Sequence, residues 1–380
     1  MKRRDMVLGA AAGLAQAPVW SLTTAAATPG VSSTEVLIGQ TAVLSGPMSP
    51  GVLAAQGGSK LVFDAANAQG GIHGRQIRLV SLDDGLDPAR AKENYEQLVL
   101  KQRVFACFGG IGNGTTQAGL PIMREYGVPL LGSYAVADSV RDQGKGVAYY
   151  TRASQLREAE VFVKHMQALG YERVAVVKFG TPAGNETHKQ LLALMDKAKL
   201  KLVGTGDVLP NGSNAADVGK SLAALQANAI IMFVAGNLAA TVMSAVWAAG
   251  ATPSFYGSSI LSSGVPPAIL VGAGRSLAIL QMAPYPWDLT NPEAQAYRAA
   301  AEAAKVPVGY ASYSGYIEAK VLLEAIKQCG ADPTRSKLHA VMRKLKMRVA
   351  TQEIDFSAGG HTGSRFVELV QLRADGKFVR

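Results

Sequence analysis

Short apolar runs and helix-spaced apolar positions take turns along this chain. Strand-like runs cover 36–43, 77–82, 104–108 and 129–132, and helical patterns fill 53–68, 89–101 and 116–126 between them. Parallel neighbours need a crossover, so this alternation predicts βα units and a parallel sheet. The order then repeats, with strands at 174–179, 202–209, 229–234, 254–256 and 277–283 and helices at 185–199, 217–226 and 238–249. The prediction is an α/β chain of two doubly wound parallel-sheet lobes. Met282-Ala283-Pro284-Tyr285-Pro286-Trp287 breaks the rhythm, and the helical stretches 292–304 and 313–329 follow without a comparable strand. They are expected to return to the first lobe.

The segment 69–88 has the most specific order. Asn67 to Gly71 stops a helix on glycines that accept left-handed dihedrals. Ile77, Leu79 and Ser81 then alternate with Arg78, Val80 and Leu82, and the strand exits at Asp83-Asp84. With Asn67-Ala68 and Gly70-Gly71-Ile72 ahead of Gly74-Arg75, this run resembles the periplasmic leucine/isoleucine/valine-binding protein family, the solute receptors of ABC importers with the type I periplasmic-binding fold. The likeness returns at Tyr313-Ser-Gly-Tyr-Ile-Glu-Ala.

The resemblance implies one lobe from 31–154 with 284–352, and a second from 155–283 with 353–380. Three hinge segments, near Ser154, Ala283 and Gln352, would join them, with the ligand between and closure about the hinge. It also implies the partners: a small organic acid or amino-acid ligand, and an ABC permease with its cytoplasmic ATPase, the receptor itself being a monomer. A sensing partnership with a membrane receptor is the alternative.

The first 27 residues read as an export signal, with a basic start at Lys2, Arg3 and Arg4, an apolar run from Met6 to Ala17, and small residues at Ala25-Ala26-Ala27. Arg3-Arg4-Asp5-Met6-Val7 also fits a twin-arginine pattern, so the periplasm is the expected compartment by the Sec or the twin-arginine route. About 350 residues would remain, a size for two domains rather than one core. Losing Lys2, Arg3, Arg4 and Asp5 lowers the formal charge from +10 to +8. The remaining charges are dispersed singly rather than clustered with aromatics, which argues against nucleic acid. Cys107 and Cys329 read as two buried thiols, with pairing in an oxidising compartment as the alternative. The five histidines are scattered and no cofactor or metal site is expected.

Candidate ligand contacts come from loops at the carboxyl ends of the strands, where open parallel sheets bind. Ser45 lies in the first such loop, with Pro47 fixing its turn. Gly109-Gly110-Ile111-Gly112-Asn113-Gly114-Thr115 is glycine-rich and opens a helix, but lacks the Lys and Ser/Thr of a phosphate-binding loop. By the resemblance, Asn113 replaces a serine that grips a carboxylate and Thr115 keeps a hydroxyl, while backbone amides at Tyr134, Ala135 and Val136 donate from the next turn. In the second lobe the family's Tyr-Gly aligns with Ala183-Gly184, an aromatic with Gly236, and the amine-binding Glu with Ser259, next to Ser258. A ligand ammonium would lose its counter-charge, and burying one unpaired costs several kcal/mol. Tyr134, Phe179, Tyr285 and Trp287 offer rings. The expected ligand is therefore a bulky amine-free carboxylate, an aromatic or oxo acid, with an amino acid as the alternative.

An enzyme is not expected. No G-x-S-x-G elbow surrounds Ser45, Ser133 or Ser259, and no G-x-G-x-x-G follows the first strand. Asp83 and Asp84 are adjacent on an extended segment and face opposite ways, so they read as capping the helix that starts at Asp87-Pro88.

Overall fold

The computed structural model describes residues 28–46, 48–262, 270, 277–358 and 360–380. The segment read as an export signal and Pro47 lie outside these residues. The order is β1 (Glu35–Ala42), α1 (Ser49–Ala68), β2 (Gln76–Asp83), α2 (Pro88–Glu96), β3 (Ala106–Phe108), α3 (Asn113–Glu125), β4 (Leu130–Leu131), α4 (Asp138–Gln143), β5 (Ala148–Tyr149) and α5 (Gln155–Ala168). It continues with β6 (Arg173–Phe179), α6 (Pro182–Lys197), β7 (Lys201–Val208), α7 (Ala215–Ala223), β8 (Ala229–Phe233), α8 (Gly236–Ala248), β9 (Ser254–Gly257) and β10 (Leu277–Gln281). The last elements are α9 (Pro292–Ala303), α10 (Tyr310–Gln328), α11 (Arg335–Met342), β11 (Lys346–Val349), β12 (Gln352–Asp355), β13 (Glu368–Leu372) and β14 (Phe378–Val379).

Two sheets organise these elements. The first has the order β2-β1-β3-β4-β5 with every pair parallel. The second runs β14-β13-β10-β9-β8-β6-β7. Its strands β6 to β10 are parallel, and β13 and β14 add an antiparallel edge. Central strands are buried almost end to end: seven of eight positions in β1 and all five in β8. Such runs form because helices cover both faces, as parallel sheets require. On the first sheet one face packs Phe63, Tyr297, Tyr313 and Ile317, the other Tyr95, Leu98, Leu120 and Met123. The second sheet is likewise covered by Val242 and Met243 on one side and Phe162 and Met195 on the other.

Helix α10 packs along α1 with backbones in contact. A Cβ on Gly58 would stand 1.8 Å from the Ser312 carbonyl, and one on Gly315 would stand 1.9 Å from the Ala55 carbonyl. Ser59 Oγ donates to the Gly315 carbonyl at 3.0 Å. Between the sheets the chain passes through 149–155, 281–292 and 355–368. The first and third passages touch where Tyr150 bridges Thr362. Cys107 and Cys329 are both buried and free. The expected Asp83-Asp84 cap is a correction: Asp87 itself caps α2, accepting from the Ala89 amide at 2.8 Å. Asp83 instead holds Ser45 and the Leu44 amide, and Asp84 holds Thr41.

Candidate ligand-binding cleft

In the first sheet β1 leads to α1 on one face and β3 leads to α3 on the other, so the loops after these neighbouring strands diverge. A crevice opens where the winding reverses. There Gln40 from the end of β1 and Phe108 to Ile111 from the end of β3 line a cavity of 130 Å³. Val52, Gln56 and Ser59 of α1 form one wall, and Tyr310, Ser314 and Glu318 of α10 another. Ser259, Ile260, Gln281, Met282 and Ala283 close it from the second sheet's side. A dry cavity of about 150 Å³ takes one benzene ring, which sets the scale of what fits.

Arg152, on the first passage between the sheets, is the one Lys, Arg or His among the described residues lining this cavity. Three neighbours aim it. Its Nε donates to Glu318 Oε1 at 2.7 Å, and its guanidinium lies 4.6 Å from the centre of the Tyr134 ring. Its backbone is fixed from behind by Arg141, fully buried, which donates to the carbonyls of Ala135, Arg152 and Ala153 at 2.7, 2.9 and 2.8 Å. Burial pushes Arg141 down to about 10, still charged at neutral pH. Burial likewise raises the Glu318 carboxyl, while Arg152 and Thr151 pull it back. Room for this carboxyl comes from Gly132, at φ +77°, whose Cβ would meet Glu318 Cδ at 3.2 Å. Glu318 engages only one edge of the fork, and a guanidinium carries five donors, so the cavity side can take a planar anion.

The expected residues distribute unevenly. Tyr134 and Ser259 line the cavity, and the Tyr134 hydroxyl and Ser259 Oγ hydrogen-bond across it at 2.8 Å. The Ser259 amide donates to Glu158 Oε1 at 2.7 Å, and burial lifts the Glu158 carboxyl to about 8. The other expected contacts do not line it. Asn113 Oδ1 accepts from the Val136 and Ala137 amides at 3.0 Å each, and the Thr115 hydroxyl donates to the Ile111 carbonyl at 2.6 Å. With the Tyr134 amide also bonded to the Gly110 carbonyl, the two loops expected to grip an anion are knitted to each other. Ala135 and Val136 are buried. Ser45 sits outside, bonded to Asp83 at 2.5 Å. Ala183 packs against the first sheet's core, and Gly184 donates to the capping Thr181 Oγ1 at 3.2 Å. Gly236 starts α8, Ser258 is buried behind Ser259, and Tyr285 packs with Trp287 while donating to the Phe378 carbonyl at 2.7 Å.

Arg152, Glu318, Gln281 and Tyr310 were not anticipated. The sequence carries a signal for two of them: an arginine two residues before the first hinge segment, and a glutamate as the one charged residue of the Tyr313-Ser-Gly-Tyr-Ile-Glu-Ala run. Among the described residues no group of three or more His, Cys, Asp or Glu side chains is placed to hold a metal ion, and no helix is long and apolar enough to cross a membrane.

A family model described as periplasmic binding protein matches residues 35–377. A Leu/Ile/Val-binding protein homolog 7 from Brucella abortus is 25% identical over 181 residues, which is 45% of this chain and 45% of the relative, so less than half of that relative's length is matched. An extracellular ligand-binding receptor from Verminephrobacter eiseniae superposes with a TM-score of 0.84 at 22% identity, covering 91% of this chain and 100% of that one. A solute-binding protein of an R. palustris ABC transporter, solved in complex with benzoate, gives 0.79 at 23% identity, covering 91% and 95%.

Proposed function

The chain belongs to the periplasmic binding protein family, and from that premise we propose that it captures a small amine-free organic carboxylate for an ABC importer by closing its two lobes. Arg152 is the observation that carries this reading. It is the lone cation among the described lining residues, and the lining carboxylate, Glu318, already pairs with it. A free amino acid would bring an ammonium with no spare counter-charge on the cavity wall, at a cost of several kcal/mol against the ~8 kcal/mol that a micromolar receptor has in total. Apolar Val52, Phe108, Ile111, Ile260 and Met282 suit a ring or branched chain. The benzoate held by the R. palustris protein belongs to the same ligand class. Delivery would need a membrane permease and its ATPase, and the amino-terminal signal would bring the chain to the periplasm.

The test is thermal unfolding of refolded, ligand-stripped protein against matched panels of amino acids, amine-free carboxylates and the corresponding amides. A ligand at a hundredfold excess over its Kd adds about 2.7 kcal/mol. Aromatic or oxo acids are expected to raise Tm, and their amides are not. A rise with leucine-like amino acids alone would replace this reading by an amino-acid receptor of the kind the Brucella relative's name describes.

A further inference from the structure

Two buried donors in the cavity wall have no hydrogen-bond partner among the described residues: Gln281 Nε2 and the Tyr310 hydroxyl. Gln281 is 2% exposed and Tyr310 6%, and both line the cavity. A buried donor left unpaired is destabilising; the unpartnered Glu368 Oε1 beside them can serve one of the two, and the other is left for an acceptor brought by the ligand.

Their position separates them from Arg152. Helix α10 presents Tyr310, Ser314 and Glu318 on one face at successive turns, a span of about 12 Å from first to last. Arg152 is fixed at the Glu318 end. The opposite end is marked by Glu368, which lies in register beside Gln281 across β10 and β13 and acts electrostatically on Tyr310. Glu368 also fixes the charge this end accepts. The nearby cation, Arg380, is already held by Asp288 at 3.2 Å and by Glu368 at 3.1 Å, so a second anion would meet a carboxylate and no spare positive charge.

We propose that the ligand carries a second, uncharged oxygen acceptor, a hydroxyl or carbonyl remote from its carboxylate, which Gln281 and Tyr310 recognise. This deepens the reading of Arg152 as the carboxylate partner and rests on it. A site built to hydrogen-bond such an oxygen discriminates strongly against the analogue lacking it, because the analogue leaves a buried donor unpaired.

The experiment is calorimetric titration of the ligand-stripped protein with benzoate against 4-hydroxybenzoate and hexanoate against 5-oxohexanoate, each as acid and as amide. Wild type is expected to bind the oxygen-bearing member of a pair at least about tenfold more tightly. In Tyr310→Phe and Gln281→Met, near-isosteric changes, the ratio of affinities within each pair falls below about threefold. Equal affinities within the pairs in wild type, or a preference that survives both substitutions, overturns the proposal. Amides that bind as tightly as acids, with the preference intact and lost in the two variants, overturn the carboxylate role of Arg152 and leave the second-acceptor site standing.

Discussion

Two regions end the first sheet on its cleft side, and they use polarity in opposite ways. The loops after β3 and β4 carry glycines, Asn113, Thr115 and exposed-looking amides, yet these groups bond to one another: Asn113 to Val136 and Ala137, Thr115 to Ile111, Tyr134 to Gly110. The passage after β5 is a plain Thr151-Arg152-Ala153-Ser154, yet its arginine reaches the cavity because Arg141 has satisfied the surrounding carbonyls and Glu318 one edge of the guanidinium. A polar residue is free to bind a ligand only when the local fold has not already used it. Residue type and spacing alone do not reveal which case applies.

Paired substitutions sharpen that contrast and give the largest expected effect. Arg152→Met removes the cavity cation and leaves Glu318 buried without its partner, so stability at pH 7 should fall by roughly 3 kcal/mol, the lower end for broken buried pairs because Arg152 keeps some exposure. Carboxylate binding should fall with it. The stability loss should shrink at pH 5, where a carboxyl raised by burial takes up its proton more readily. Asn113→Ala strips the acceptor from two amides and should cost about 1–3 kcal/mol of stability, with ligand affinity held within about threefold. Urea denaturation and calorimetry on both variants read the split. An Asn113→Ala protein of normal stability and weak binding would restore the loop as the anion grip.

The next effect is a pH dependence seated behind the cavity. Glu158 follows the Arg152 passage on α5, is fully buried, and its folded value of about 8 stands above the ordinary 4.5. The folded state therefore keeps a proton that the unfolded chain releases near 4.5. This contribution is complete below that pH, declines at up to ~1.4 kcal/mol per pH unit, and is lost as pH rises through about 8. Allowing for relaxation, the change across the window should be on the order of 2 kcal/mol. Glu158→Gln keeps the neutral form and should flatten this part of the profile. An unchanged slope in that variant would assign the dependence to other groups.

The architecture was legible because its signal is periodic. β1, β2, β6, β8 and the long α1 and α10 lie where apolar spacing places them, within a few residues at their ends. What escaped was mostly short or local, with the fourteen-residue α5 as the exception. β5 has two residues, too few for a period, and β13 and β14 join the second sheet from far along the chain. The candidate cleft was legible in small part. Tyr134 and Ser259 stand on it, while Arg152, Gln281, Tyr310 and Glu318 come from a passage, a strand end and a helix face that only the folded chain brings together. The resemblance points to loop positions, and Asn113 shows why substitution matters there: its amide oxygen serves two backbone donors at once.

Tyr134 is where the two regions meet, and it yields the smallest effect. It belongs to the loop after β4, but its ring lies under Arg152 and its hydroxyl reaches Ser259 on the opposite side of the cavity. Tyr134→Phe keeps the ring beneath the guanidinium, and Ser259 keeps its amide bond to Glu158, so the loss should be near 1 kcal/mol or less. Because the missing bond spans the cleft, the loss should fall on the closed, ligand-bound state. Ligand release, followed by stopped flow, should quicken about threefold to fivefold with little change in association or in urea midpoint. A fall in stability with release unchanged would mean that Tyr134 and Ser259 part when ligand enters, leaving the arginine passage as the sole side of this comparison that contacts it.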